Sequence, residues 1–261
     1  MISATDVQRK AARVIRFLAS PRTFFESDFQ EDGLAVQGKN LGFLDNPAFK
    51  KAWEKARLLN MEGWKNTVPE IRWRVYIACW AVNHSLRVSS DGDLAEFGVH
   101  TGLTSLMLCQ MTDFAQRGRT LYLFDTFKGI PILDSMGDVD RERAKRMNVS
   151  VYSDCYQLAQ RNFEEYPNVT LVRGILPDTL NNVKIASLCF AHFDLNNAPS
   201  EMKVINRVWD QIVPGGIILL DDYGWTGYEP QYEAWNEFCR RVDHPVLTLP
   251  TGQGLIVKAP A

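Results

Sequence analysis

Acidic residues close two apolar runs in the second half of the chain, where carboxylates could bind a metal ion. Asp194 ends the run Leu188–Asp194, and Asp221 and Asp222 end the run that begins at Ile217. The carboxyl ends of parallel strands meet at one edge of a sheet, so we expect the three carboxylates to lie close together. Oxygen ligands without a neighbouring cysteine favour a hard cation, which predicts an Mg²⁺ site formed by Asp194, Asp221 and Asp222. Acids at strand ends also serve as turn or capping residues, and one of the three could do only that.

A second chemical pattern lies earlier in the chain, in the segment Glu96-Phe-Gly98-Val-His-Thr-Gly102. It follows a short apolar run and precedes a helix-length segment, so its glycines would let the backbone approach a ligand at a helix N-terminus. Asp125 ends the next apolar run, 29 residues after Glu96, where an acid can accept the hydroxyls of a ribose. Thr101 and Ser105, in the turn and the first helical turn, are further candidates for ligand contact.

The glycine spacing separates two classes of cofactor. A dinucleotide site has Gly-x-Gly-x-x-Gly, whereas this turn has Gly-x-x-x-Gly and carries Glu96 two residues before Gly98. A carboxylate repels a diphosphate but suits the ammonium and sulfonium groups of S-adenosylmethionine. We therefore predict S-adenosylmethionine as the cofactor and disfavour an NAD-dependent dehydrogenase. The alternative is that Gly98 and Gly102 only form a tight turn between strand and helix.

Together the two predicted sites indicate methyl transfer to an oxygen. A divalent cation lowers the pKa of a bound hydroxyl, and the protein then needs only to align oxygen, methyl carbon and sulfur. This favours a vicinal diol or catechol as acceptor, with Asp194 and His192 as candidate catalytic residues. His192 and His100 could each act as a general base, because an imidazole titrates near neutrality. For each of them, a histidine that only satisfies a backbone group is the favoured alternative.

The elements that must position these residues change in character near Ser90. Before it, helical spacing predominates over residues 7–18, 47–59 and 69–86, and the stretch 24–44 has the composition of a loop. After it, strand-like apolar runs alternate with helix-length segments and end in a hairpin. The strand-like runs cover residues 94–99, 121–124, 169–173, 188–194, 217–221, 246–249 and 255–257, and the helix-length segments cover 103–115, 153–165, 199–213 and 230–241.

This order predicts an α/β fold with a seven-stranded, doubly wound, Rossmann-like sheet of the class I methyltransferase type. We expect residues 91–261 to form the domain that binds S-adenosylmethionine. Residues 1–90 are expected to form a helical N-terminal region that covers the substrate and supports oligomerisation.

Composition narrows the range of partners. A formal net charge of −2 with scattered Lys and Arg argues against nucleic acid as a partner. The N-terminus lacks the pattern of a secretory signal, and the longest apolar stretch is too short to cross a membrane. The five cysteines are odd in number and have no Cys-x-x-Cys spacing, which favours neither a zinc site nor a disulfide framework and agrees with a cytoplasmic location.

The stretch Pro131 to Asn148 is polar, highly charged and without clear period. It follows the second strand of the predicted sheet, where it can fold over the site. We interpret it as a lid that gates the substrate, or alternatively as a solvated surface insertion.

Several motifs in this order resemble the macrocin O-methyltransferase family, whose members methylate sugar hydroxyls of macrolide antibiotics. The similarity covers about half of the chain, from Asp93 to Gly224. The motifs are Asp93-Leu-Ala-Glu-Phe-Gly-Val, Asp125-Thr-Phe-Lys-Gly-Ile-Pro, Arg161-Asn-Phe-Glu-Glu-Tyr, Gly174-Ile-Leu-Pro-Asp-Thr-Leu, Asp221-Asp-Tyr-Gly and Thr251-Gly-Gln-Gly.

The resemblance implies an Mg²⁺- and S-adenosylmethionine-dependent O-methyltransferase that forms a homo-oligomer, which we expect to be a dimer. It adds Thr126 and Phe127 to the predicted cofactor contacts, and Gly174 and Ile175 as the turn beside the adenine. One departure concerns the acceptor: the family commonly has Asp-x-Asp-Leu-Tyr where this chain has Asp194-Leu-Asn196-Asn-Ala. The acceptor, a sugar or another small molecule from natural product biosynthesis, is therefore left open.

Two further functions remain compatible with the sequence. The acids could bind substrate directly in a metal-independent methyltransferase. The chain could also be a non-catalytic module that binds S-adenosylmethionine and acts on a partner through its N-terminal helices.

Overall fold

A computed structural model describes residues 27–89 and 91–260 of the chain, which divides into two units, 1–40 and 41–261. The described part of the first unit holds an antiparallel hairpin of β1 (Phe29–Glu31) and β2 (Leu34–Val36). Asp32 and Gly33 join the strands with φ values of 52° and 71°, as a type I′ turn requires. The predicted loop over residues 24–44 is therefore wrong for this hairpin, because Asp32-Gly33 favours a tight turn that lets the short flanking segments pair. The helix predicted for residues 7–18 lies outside the described residues.

The second unit alternates helices and strands. Its helices are α1 (Gly42–Asp45), α2 (Pro47–Asn60), α3 (Arg72–Val88), α4 (Leu103–Met111), α5 (Asp138–Ser150), α6 (Tyr156–Asn162), α7 (Ala198–Val208) and α8 (Glu229–Val242). Its strands are β3 (Asp93–Phe97), β4 (Leu121–Asp125), β5 (Val169–Arg173), β6 (Leu188–Phe193), β7 (Ile212–Leu220), β8 (Leu247–Thr248) and β9 (Gly254–Val257). Short 3₁₀ turns cover Phe114–Gln116, Asp178–Asn182 and Trp209–Gln211.

The seven strands form one sheet in the order β5-β4-β3-β6-β7-β9-β8. Strands β3 to β7 are parallel, and β9 inserts antiparallel between β7 and β8. This arrangement confirms the predicted doubly wound sheet with a terminal hairpin. The strand order reverses between β3 and β6, which is the place where such sheets bind ligands.

Two helical layers cover the sheet. One core cluster joins α2, α3 and α4 to one face, through residues such as Trp53, Val75 and Leu106, and the other joins α7 and α8 to the opposite face. Sheet residues alternate between the two clusters, as Leu94 and Ala95 illustrate. The described helices α2 and α3 of the proposed N-terminal region thus share a core with the sheet, and the functional division at residue 90 stays a prediction.

Helix α3 packs by its small residues. Ala78, Cys79, Ala81 and Val82 are buried, whereas Trp80 is 52% exposed and stacks on His84. Trp80 therefore does not contribute to the core. Small side chains face the core because they allow the helix to approach the sheet closely.

The predicted helix over residues 199–213 ends earlier, at Val208. Strand β7 begins at Ile212 and passes through Pro214, and its register against β6 shifts between the pairs Leu188–Ile212 and Phe190–Ile217. A proline is tolerated in a strand at such an irregularity. Among the described residues, no helix is long and apolar enough to span a membrane.

Candidate active site

A cavity of about 300 Å³ lies at the carboxyl ends of the parallel strands. Loops after β3, β4, β6 and β7 line it, together with the segment before α3 and with part of α5. The cavity therefore occupies the reversal of strand order where the sequence predicted ligand binding.

The turn after β3 takes left-handed backbone conformations at Gly98 (φ 93°), His100 (φ 53°) and Gly102 (φ 88°). Asp125 closes this turn: its Oδ2 accepts hydrogen bonds from the amides of Val99 at 2.6 Å and His100 at 2.7 Å. Asp125 also lines the cavity. The acid predicted to bind a ribose thus has a second role, which is to fix the shape of the turn.

Glu96 is buried at the end of β3 and lines the cavity. Its Oε2 accepts a short hydrogen bond from Ser105, and its Oε1 lies 2.9 Å from His192 Nδ1. Ser105 is itself fully buried. The structure therefore gives Ser105, which was predicted to contact the cofactor, the role of holding Glu96.

His192 lies behind the cavity, between two carboxylates. Its Nε2 is 3.5 Å from Asp221 Oδ1, and its exposed fraction is 1%. Burial alone would lower the pKa of His192, but hydrogen bonds to Asp221 and Glu96 raise it to about 10. An imidazolium that is bonded to Glu96 and lies beside Asp221 does not face the cavity, so this geometry gives no support to His192 as a general base.

The three predicted metal ligands come together at the ends of β6 and β7. One carboxylate oxygen each from Asp194, Asp221 and Asp222 lies within 4.8 Å of the others. Asp222 Oδ2 is buried and has no hydrogen-bond partner among the described residues. Burial and the neighbouring Asp221 raise the pKa of Asp222 to about 8. Each of these features fits a cation between the carboxylates, because a cation would satisfy the orphan oxygen and offset the repulsion.

Arg74 of α3 brings a positive charge into the same cluster. Its guanidinium forms an ion pair with Asp221 Oδ2, while Gln253 Nε2 donates to Asp221 Oδ1 at 3.0 Å. Burial would raise the pKa of Asp221, but Arg74 and His192 outweigh it and hold that pKa well below its usual range. Arg74 could not be assigned to the site from the sequence, because nothing in its helical pattern marked it as facing a site.

Comparison with known proteins decides the family. Residues 79–249 match the sequence profile of the family described as macrocin-O-methyltransferase (TylF). The chain belongs to the macrocin O-methyltransferase family. The resemblance inferred from the sequence motifs is thereby confirmed.

A curated relative is similar over part of its length. The mycinamicin III 3''-O-methyltransferase of Micromonospora griseorubida is 27% identical over 153 residues, which cover 54% of this chain and 59% of the relative. The match therefore spans less than two thirds of that protein.

Solved structures show the same fold at low sequence identity. The O-methyltransferase NovP has a TM-score of 0.68 at 20% identity, covering 81% of this chain and 98% of its own. The calicheamicin methyltransferase CalS11 has a TM-score of 0.56 at 18% identity, covering 86% and 98%. The S-adenosylhomocysteine-bound methyltransferase PaMTH1 of Podospora anserina has a TM-score of 0.51 at 14% identity, covering 96% of both chains. These likenesses confirm the class I methyltransferase fold.

In this member of the macrocin O-methyltransferase family, the segment 131–148 does cover the cavity. Helix α5 begins within it and ends two residues beyond it, and Pro131 and Met147 line the cavity. Asp140 and Arg143 form a buried ion pair on α5, and Arg143 Nη1 also donates to the carbonyl of Gly227. The position agrees with the lid interpretation, whereas a helix was not predicted because the segment lacks hydrophobic periodicity.

The remaining predicted cofactor residues divide into two groups. Gly98, Thr126, Phe127 and Gly174 line the cavity. Thr101 is buried and donates to Asn60, Gly102 packs on Phe163 at the start of α4, and Ile175 is 45% exposed. These three, like Ser105, lie outside the cavity lining, so direct contact with the cofactor stays a prediction for them.

Several aromatic side chains line the cavity. Trp64 and Tyr152 flank His100 with ring centroids 4.7 and 5.3 Å away, and Tyr228 lies on the loop after Asp222. Burial, opposed in part by Asp125, lowers the pKa of His100 to about 4. His100 is therefore neutral at pH 7. Sequence periodicity gives no signal for Tyr152 and Tyr228, since they lie where α5 and β7 have already ended.

Proposed function

We propose that this protein is an S-adenosylmethionine- and Mg²⁺-dependent O-methyltransferase that acts on a hydroxyl of a sugar or a small-molecule natural product. The observation that carries the proposal is the shared cavity. Glu96, Gly98 and Asp125, which we call the cofactor end, line it, and so do Asp194, Asp221 and Asp222, which we call the acidic end. Membership of the macrocin O-methyltransferase family supports the same reaction.

The cofactor end would hold S-adenosylmethionine, which supplies the methyl group. Glu96 offers negative charge at the end of β3, and Ser105 and His192 fix its direction. Gly98 lets the main chain come close, while Asp125 keeps the turn in its left-handed conformation through two amide hydrogen bonds. A fixed turn reduces the ordering that cofactor binding must impose.

The acidic end would hold Mg²⁺ through Asp194, Asp221 and Asp222, and the ion would lower the pKa of a coordinated hydroxyl. Asp221 is held by Arg74 and Gln253, so its carboxylate is already oriented. The unpartnered Oδ2 of Asp222 supports a cation as the missing partner. Asp194 remains the proposed catalytic residue at this end, because it lines the cavity where an acceptor would lie.

The acceptor would enter over a mixed wall. Pro69, Ile71 and Leu195 give apolar surface, and Trp64 and Tyr228 add aromatic rings. Such a lining suits a sugar carried on an apolar body. The calicheamicin methyltransferase is also described as TDP-rhamnose 3'-O-methyltransferase, which names a nucleotide sugar as its acceptor, and the other relative is named for mycinamicin III.

A metal-independent methyltransferase is the second candidate, and Arg74 favours it. Its guanidinium already supplies a cation to Asp221. In that case the carboxylates would bind the acceptor directly and orient its hydroxyl.

Further expectations from the sequence remain proposals. We propose a homo-oligomer, most simply a dimer, and a cytoplasmic location. We also propose that residues 1–90 cover the acceptor and contribute to the oligomer.

The proposal is tested by binding and methyl transfer. Isothermal titration calorimetry should detect binding of S-adenosylhomocysteine to the protein. Methyl transfer to mycinamicin III or TDP-rhamnose should require Mg²⁺ and stop when EDTA is added. Asp221→Ala should lose transfer, whereas Asp210→Asn, at an exposed aspartate, should keep it. Transfer that survives EDTA would favour the metal-independent enzyme. Binding without transfer to any acceptor tested would favour a non-catalytic module, and no affinity for S-adenosylhomocysteine would reject the proposal.

A further inference from the structure

The loop after β6 carries an asparagine in an unusual position. Asn196 has a left-handed backbone (φ 59°) and is buried against the acid cluster. Asparagine is one of the few residues other than glycine that adopts this conformation readily. The side-chain amide of Asn196 lies between Asp194 and Tyr228 and is hydrogen-bonded to both.

The hydrogen bonds at Asn196 have a single consistent direction. Its Nδ2 donates to Asp194 Oδ1 at 3.1 Å, and its Oδ1 accepts from the hydroxyl of Tyr228 at 3.0 Å. The reversed amide would point its carbonyl oxygen at a carboxylate oxygen, and two acceptors repel each other. Asp194 therefore fixes the amide, and the amide fixes the Tyr228 hydroxyl as a donor.

Arg143 of α5 contacts both Asn196 and Tyr228. Its guanidinium lies 3.9 Å from the ring centroid of Tyr228, and its Nη2 donates to the carbonyl oxygen of Asn196 at 3.0 Å. Gln231 Oε1, also at 3.0 Å, and Asp140 bind the same guanidinium group. Buried and bonded in this way, Arg143 links α5 to the loops after β6 and β7.

We propose that Asn196 and Tyr228 are positioning residues that set the direction of the Asp194 carboxylate, and that Arg143 keeps the pair in place. This inference rests on the proposed function, because Asp194 is one of the carboxylates proposed to hold Mg²⁺. A carboxylate fixed through one oxygen presents its other oxygen in a defined direction, and residues behind metal ligands commonly act in this way.

Asn196 stands where the family motif commonly has a second aspartate, and the positioning role fits this difference. An asparagine cannot take up a proton, so Asn196 contributes through orientation and not through acid–base chemistry. The docking of α5 then bears on the acid cluster, because the arginine that holds the pair belongs to that helix.

The decisive variant is Tyr228→Phe, which keeps the ring under Arg143 and removes only the hydroxyl that binds Asn196. Mn²⁺ serves as the probe ion, titrated calorimetrically into the protein saturated with S-adenosylhomocysteine. We expect the Kd of Mn²⁺ to rise by about tenfold or more, while the Kd of S-adenosylhomocysteine stays within about twofold. Asn196→Gly, which retains the left-handed backbone and removes the amide, should weaken Mn²⁺ at least as much.

Tyr232→Phe is the matched control, because this tyrosine is 47% exposed on α8 and lies outside the cavity lining. It should leave both affinities unchanged. Arg143→Lys keeps a positive charge beside Asp140 but cannot hold the Asn196 carbonyl and the Tyr228 ring together. It should therefore weaken Mn²⁺ in the same direction as Tyr228→Phe.

Unchanged Mn²⁺ affinity in both Tyr228→Phe and Asn196→Gly would overturn the proposal. If the wild-type protein binds S-adenosylhomocysteine but no Mn²⁺, the metal part of the proposed function fails separately. Crystal structures of the wild type and Tyr228→Phe then decide the positioning role. A rotated Asp194 carboxylate supports that role, and an identical carboxylate rejects it.

Discussion

Arg74 of α3 is ion-paired with Asp221 at the end of β7, so a helix before the sheet supplies a cation to the acid cluster. The side chains are 15% and 12% exposed. Arg74→Met should therefore destabilise the metal-free protein by about 3 kcal/mol, because it leaves a largely buried carboxylate without its partner. Thermal unfolding without divalent ions measures this loss.

The same variant should respond more strongly to Mg²⁺. With Arg74 absent, added Mg²⁺ is the remaining external cation for the three acids, so it should raise the Tm of Arg74→Met more than that of the wild type. Arg240→Gln, which breaks an exposed pair with Glu237, should change neither Tm. Equal Mg²⁺ responses in Arg74→Met and the wild type would argue against a metal among these acids.

We expect the ion pair between Asp140 and Arg143 to stabilise α5. Arg143→Met leaves Asp140 buried and unpaired, at a cost of about 3–5 kcal/mol in the free energy of unfolding. The double variant Asp140→Asn/Arg143→Met should lose less than the sum of the single variants, as urea unfolding can measure. Glu142→Gln, at an exposed pair with Lys145, is the control and should have no effect. Strict additivity would show that the pair does not stabilise α5.

Lid behaviour has its own measurement. If the segment 131–148 closes over ligands, S-adenosylhomocysteine with Mg²⁺ should slow its cleavage by trypsin, which cuts after the several Lys and Arg of α5. Arg143→Lys should reduce that protection. Cleavage at an unchanged rate with both ligands present would leave the segment as a surface cover without gating.

Gly98 should tolerate no side chain. A Cβ there would overlap the carbonyl oxygen of Asp194, and its φ of 93° is unfavourable for other residues. Gly98→Ala should cost at least about 2 kcal/mol and abolish binding of S-adenosylhomocysteine. Gly118→Ala, where a Cβ would meet open space, should retain stability and binding. Comparable unfolding curves for the two variants would contradict this reading of the turn.

The neutral His100 should make stability depend on pH. Burial lowers its pKa from 6.5 to about 4, so between these values the unfolded chain binds a proton that the folded chain does not. Stability from this group is full above pH 6.5 and is lost as the pH falls towards 4, up to about 3 kcal/mol. His100→Asn, which also accepts a left-handed backbone, should lose less stability than the wild type between pH 7 and pH 4.5 in urea unfolding. An identical loss in the two proteins would exclude the effect.

The acids at the strand ends are the part of the candidate site that could be predicted from the sequence. Asp194, Asp221 and Asp222 could be brought together in advance, because each follows an apolar run and parallel strands end at one edge. The sequence also predicted that Gly98 lets the backbone approach a ligand. It did not predict the second reason for a glycine at this position. The second reason is steric, because a side chain at Gly98 would overlap the carbonyl oxygen of Asp194, directly after the neighbouring strand β6. This contact depends on sheet register and not on local sequence.

Partners that are distant in sequence could not be predicted. Arg74 meets Asp221 across 147 positions, and Arg143 meets Gln231 across 88. Neither pairing leaves a periodic signal, since a charged residue on a helix looks the same whether it faces solvent or a buried acid. His192 shows the reverse case: its proximity to the site was predicted, but its enclosure by Glu96 and Asp221 depends on three side chains packing together.

That enclosure ties the two ends of the cavity to each other. The imidazole of His192 contacts Glu96 on one side and approaches Asp221 on the other. A cation bound to one of these carboxylates would weaken its interaction with His192 and so change the interaction of His192 with the other carboxylate. If a methyl donor and a metal ion bind here as proposed, the affinity for each should therefore depend on the presence of the other. By linkage, the factor by which the first ligand would change the affinity for the second equals the factor by which the second would change the affinity for the first.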